Sequence, residues 1–150
     1  METLSVITAL REYLRELNPD MDVSISTQSA TDYIPLNNRP AVLIHYSGAD
    51  FAATESTDAV VQRRTLHFTA TVIAPQADAL NALDRTRQTL GGIALPGCDR
   101  LLWMKSETFI GNNAGFACYA LEMASSALFI ANQESKDLPL LTIVNYEEIQ

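Results

Sequence analysis

Cysteine is scarce in this chain of 150 residues: Cys98 and Cys118 are its only thiols. Two thiols make no disulfide framework, and the pattern suits a reducing compartment. Long hydrophobic runs are missing too. Runs such as Ala41 to Ile44 and Ala127 to Ala131 fall far short of the roughly 20 residues that a membrane-spanning helix needs, so the expectation is a soluble chain with no membrane partner. Positive charge is thin, with 10 Lys and Arg against 18 Asp and Glu and a net charge of -8. Only Arg63-Arg64 and the Arg85/Arg87 pair concentrate it, which argues against specific nucleic-acid binding, since that draws on clustered cations that release counterions. The N-terminal METLSVITALREYL has no basic segment ahead of an apolar one, so no signal or transit peptide is expected.

Catalytic and metal-binding motifs are absent in the same way. His45, His67, Cys98 and Cys118 have the chemistry for zinc, but none has a close-set CxxC or HxxxH partner. No GxSxG or reactive-cysteine signature activates a nucleophile. Gly91-Gly92 and Gly97 form neither a P-loop nor a GxGxxG turn. Asp78, Asp84 and Asp99 are spacings that an acidic chain produces by chance, and the single Trp103 suits packing better than ligand stacking. The residues therefore point to no catalytic group, no metal and no cofactor.

What is present is periodicity. Leu4, Ile7, Leu10, Leu14 and Leu17 recur every three or four residues and predict an amphipathic helix that Asn18-Pro19 ends. Met21 to Thr27 alternates as a half-buried strand, and Gln28 to Arg39, rich in turn formers, reads as a loop. Pro40 to Tyr46 predicts a central strand, with a connection from Gly48 to Thr57. Val60 to Ala74 is a long strand with Leu66, Phe68, Ala70 and Val72 on one face and Thr65, His67, Thr69, Thr71 and Ile73 on the other. Gln76 to Leu90 predicts a helix carrying Leu80, Leu83, Arg87 and Leu90 along one side, with Gly91-Gly92 supplying its left-handed stop. Arg100 to Ile110 and Phe116 to Ala131 then form a hairpin across the five-residue turn Gly111 to Gly115. Asn132 to Asp137 is polar, and the apolar Leu138 to Val144 reads as an extra strand or an arm. The sum is an α+β fold, a mainly antiparallel sheet packed against two helices, in one domain over residues 1–150, with 132–150 as the C-terminal arm.

That order of elements resembles a known family. The N-terminal amphipathic helix, the strand PAVLIHYSG, the segment VVQRRTLHFTATVIA with Gln62 and Arg63, the helix ADALNALDRTRQTLGGI and the closing hairpin resemble the tail proteins of Mu-like phages and prophages, themselves similar in fold to siphophage tail terminators. The shared features are a Gln-x-Arg type strand entrance, here Gln62-Arg63-Arg64, and a helix end marked by Leu83, Arg87, Leu90 and Gly91. The resemblance implies a structural role without catalysis: a homohexameric ring on the head-proximal end of the tail tube that stops tube growth and prepares head joining. It implies the tail tube protein and a head-completion protein as partners, DNA passing through the ring, and a place in the virion tail after assembly in the host cytoplasm. The interface residues expected on this basis are Gln62, Arg63 and Arg64 at the strand entrance and Leu138, Leu140 and Leu141 in the arm. Two other readings stay open: a head-tail adaptor or other minor tail protein, and a small-molecule-binding protein or enzyme with a cleft beside Arg85, Arg87 and Asp99.

Overall fold

The long alternating segment becomes the middle strand of a five-stranded sheet. A computed structural model describes residues 2–26 and 33–131. In chain order its main elements are α1 (Thr3–Leu17), β1 (Asp22–Ile25), β2 (Ala41–Phe51), β3 (Val61–Pro75), α2 (Ala79–Leu90), β4 (Trp103–Asn113) and β5 (Phe116–Ile130). The sheet order is β1-β2-β3-β5-β4. Among the described residues only β1 and β2 run parallel, and the other pairings are antiparallel. Both helices share one hydrophobic cluster with one face of this sheet, which is the expected α+β arrangement.

The core follows from strand alternation. Leu66, Phe68, Ala70 and Val72 of β3 are fully buried beneath the helices, as the period of two predicts. Val42 and Ile44 of β2 and Leu121 and Met123 of β5 extend the same layer. Opposite it, Leu43, Ile73, Phe116 and Cys118 form a small second cluster. Cys118 lies there as a small hydrophobe, and burial pushes its thiol pKa up.

Each helix is phased differently at its ends from the expectation. In α1 the buried residues are Val6, Ile7, Leu10 and Leu14, while Leu4 is 70% and Leu17 57% exposed. In α2 the buried line is Ala79, Ala82, Leu83, Thr86 and Leu90, and Leu80 stands 63% exposed. The two alanines let α2 lie close to the sheet, and that rotation turns Leu80 outward. Thr86 satisfies its buried hydroxyl by donating to the Ala82 carbonyl at 2.8 Å. Past the helix end, Gly92 takes the left-handed conformation at φ 86°.

Two boundaries also move. β2 does not stop before Gly48 but runs on to Phe51, because a bulge between the Tyr46 and Gly48 pairings absorbs one extra residue. Gly48, at φ 137°, supplies the backbone freedom for it. The hairpin turn shrinks from five residues to two, Ala114 and Gly115, since Asn113 already pairs with Phe116. Both turn residues have positive φ, 52° and 85°, as a tight turn between twisted strands requires.

Strands and helices are unequal in reach. β3 and β5 pair over their whole lengths, from Val61 with Ile130 to Pro75 with Phe116. Fifteen paired residues give a ladder about 50 Å long. Helices of 15 and 12 residues reach only about 22 and 18 Å. The ladder therefore projects beyond the helical layer.

Candidate functional site

Three regions carry the polar and exposed apolar groups that a function needs. The first is the sheet face away from the helices. There an open depression of about 410 Å3 is lined by Ser47, Asp50, His67, Thr69, Lys105 and Glu122 among others. His67 projects from β3 into it. Lys105 Nζ donates to His67 Nδ1 at 3.0 Å, so the imidazole proton sits on Nε2, which donates to Asp50 Oδ2 at 2.8 Å. Lys105 reaches β3 across β5, where Ala124 pairs with both His67 and Trp103 and is fully buried. The bridge thus ties β2, β3 and β4 together over a small side chain. Lys105 and Asp50 are joined through His67, and among the described residues no group of three His, Cys, Asp or Glu side chains is placed to hold a metal ion. His45 stands apart, its Nδ1 donating to the Ser26 carbonyl at 3.1 Å.

The second region is the cleft expected beside Arg85, Arg87 and Asp99, and these residues do not come together. Arg85 donates to Asn18 Oδ1 at 3.0 and 3.2 Å and pairs with Asp20, joining α2 to the end of α1. Arg87 is held between Asp84 and Glu107, joining α2 to β4. Asp99 pairs with Arg63 at 2.6 Å and accepts from Ser126 Oγ at 2.6 Å. The Ser126 hydroxyl and the Arg63 guanidinium, in that order, hold the Asp99 carboxyl below its usual range. Each of the three residues thus serves a separate tertiary link. The proximity of Arg85 to Arg87 in sequence says nothing about Asp99, which reaches β3 and β5 instead.

The third region is the strand entrance, at the end of the ladder where β3 begins. Alternation sends Gln62 and Arg64 to the helix side and Arg63 to the other. Gln62 Nε2 donates to the Ala52 carbonyl at 2.8 Å. Arg64 Nη2 donates to Thr3 Oγ1 and Tyr46 Oη, each at 2.9 Å, and its guanidinium lies about 6 Å from the Tyr46 and Phe51 rings. Around them Phe51, Val60, Leu128, Phe129 and Ile130 are all exposed. Sequence reasoning named the three polar residues and missed this apolar surround. The signal for it was Phe51 and the Leu128-Phe129-Ile130 run standing next to polar loops. Leu138, Leu140 and Leu141 lie outside the described residues.

Comparison with known proteins adds two findings. The family model described as "Gp37 protein" matches residues 10–148, so the chain belongs to the Gp37 protein family. Among solved structures it is similar to a chain of the "Virion of native gene transfer agent (GTA) particle", with a TM-score of 0.54 and 15% identity over 85% of this chain and 95% of that one. At that identity the likeness is one of fold. A search of curated proteins finds no match.

Proposed function

We propose that this protein is a structural component of a phage-like tail: a tail terminator that forms a homohexameric ring on the end of the tail tube, stops its growth and prepares head joining. The observation that carries this reading is membership of the Gp37 protein family together with a fold, and nearly a full chain length, shared with a component of a gene transfer agent virion.

The physical character of the chain supports it. A long ladder with apolar residues exposed where β3 begins and β5 ends is suited to contacts between subunits. The polar depression on the sheet face is open and its histidine is tied to Lys105 and Asp50, which suits a structural surface better than a reaction site. A net charge of -8 gives a ring of such subunits a field that repels DNA phosphate, so DNA would pass rather than adhere. Gln62, Arg63 and Arg64, with Leu138, Leu140 and Leu141, are the residues proposed to lie at subunit contacts.

The test is the distribution of tail lengths, measured by negative-stain electron microscopy in particles made with and without the chain. Overlong or ragged tubes lacking heads are expected in its absence. Tails of normal length that fail to join heads would refute termination and favour an adaptor, and normal infectious particles would remove any role in the virion.

A further inference from the structure

The two ends of the β3/β5 ladder differ in how they are finished. At the hairpin end Phe116 and Ala117 are buried, and further along the ladder Phe109 of β4 packs edge-on against Tyr119 of β5, 5.2 Å between ring centres. At the entrance end Phe51 and Phe129 meet edge to face at 5.8 Å on the helix side. Leu128 and Ile130 stand on the opposite side, and Val60 leads into the ladder. All five are between 43% and 56% exposed, an apolar concentration of the kind that marks a docking surface. Beneath Phe51 lies Arg64, bonded to two hydroxyls. Its Nε is buried without a hydrogen-bond partner, and among the described residues no carboxylate pairs with it. The surface is therefore apolar with an unneutralised cation at its base.

The chain carries a segment of matching chemistry. β5 ends within this surface, where Ala131 N still donates to the Val60 carbonyl at 3.0 Å. Then come the polar spacer Asn132 to Asp137, the apolar run Leu138-Pro139-Leu140-Leu141-Thr142-Ile143-Val144, and the acidic pair Glu147-Glu148. The apolar run suits the exposed aromatic and aliphatic groups, and the acids suit Arg64. The six spacer residues can span up to about 20 Å, a reach that lets the apolar run of one copy meet the surface of the next.

We propose that the entrance-end surface is the seat of residues 138–144 of a second copy of this chain, with the acidic pair of that copy reaching Arg64. Each copy then gives one segment and receives one. Such a head-to-tail contact is heterologous, and it closes into a ring when the rotation per subunit allows. The inference rests on the proposed ring and names the contact that closes it.

The test uses two full-length chains with tags of different size, co-expressed, both carrying Cys98→Ser and Cys118→Ala. One has Phe129→Cys and the other Leu141→Cys, and a short bismaleimide joins thiols that lie close. A product at the summed mass of the two tagged chains is expected, and it should be lost when Gln88→Cys on the outer side of α2 replaces Phe129→Cys. If both cysteines placed in one chain give only an internal link, the segment covers its own domain and the proposal is overturned. Absence of product from either arrangement overturns it as well. A link between copies alongside unchanged tail lengths in the chain's absence would keep this contact and discard the terminator role. Overlong tails without any link would keep the role and discard the contact.

Discussion

Replacing Asn18 should destabilise the protein more than a single side chain at the end of a helix normally does. Asn18 is 5% exposed and works in both directions. Its Nδ2 donates to the Leu14 carbonyl at 3.2 Å and to Thr89 Oγ1 at 3.0 Å, and its Oδ1 accepts two bonds from Arg85 at 3.0 and 3.2 Å. Asn18→Ala leaves Leu14 satisfied, because the Asn18 backbone amide already donates to the same carbonyl at 3.0 Å. Thr89 is partly exposed and regains water. The main loss is the bond to a charged partner, worth about 1.5–3 kcal/mol, softened because Arg85 keeps Asp20. The expected cost is about 2 kcal/mol, a fall in Tm of about 4–8 °C for a chain of this size.

Arg85→Met completes a cycle. It keeps the aliphatic stem and removes the guanidinium, so it strips Asn18 Oδ1 of both its donors. Since each single change breaks the same contact, Asn18→Ala with Arg85→Met should cost about 1 kcal/mol less than the sum of the two. Urea unfolding with an unchanged m-value reads each corner. The reasoning fails if Asn18→Ala costs under about 0.5 kcal/mol, or if the two changes add within about 0.3 kcal/mol. In that case α1 and α2 would be joined by their apolar contacts alone.

How far such contacts were visible beforehand depended on their range. The strand alternation of 61–75 and the hairpin are local patterns, and they gave the sheet and its core face without help. The phases of the helix ends were not local. Whether Leu4, Leu17 or Leu80 is buried depends on the rotation at which each helix seats on the sheet, and Val6 and the alanines of α2 take those places instead. The bulge that carries β2 through to Phe51 is set by pairing with β3, so a glycine among small polar residues looked like the start of a loop. Ion pairs are the extreme case. Arg63 finds Asp99 across 36 positions of chain, and no periodicity predicts that, so a cleft drawn from Arg85, Arg87 and Asp99 dissolved. The strand entrance was legible only in part, because Phe51 and Phe129 come together through the register of two strand pairings.

Helix phasing and the surface ion pairs supply two further tests. On α2, Leu83→Ala should cost about 2–5 kcal/mol as a core truncation, whereas Leu80→Ala should change stability by less than about 0.5 kcal/mol. Thermal unfolding of both variants checks this, and equal losses would show that the helix is phased as the simple leucine spacing suggested. Acid should weaken the fold through Asp20 and Asp99. The largest cause for Asp20 is its hydrogen bond from Arg85, and for Asp99 the hydroxyl of Ser126. Both carboxyls lie below their ordinary value of 3.8 when folded, so the unfolded chain binds these protons more readily. Their contribution is complete above that value and is lost as pH falls through the lower folded values. Both side chains are well exposed, at 57% and 38%, so solvent screening limits each to below about 1 kcal/mol. The urea midpoint should therefore decline as pH drops from about 5 to 3, and Asp20→Asn with Asp99→Asn should start lower at pH 7 and flatten that decline. An unchanged slope in the double variant would mean that other carboxylates govern the acid response and that these two pairs add nothing measurable to the fold.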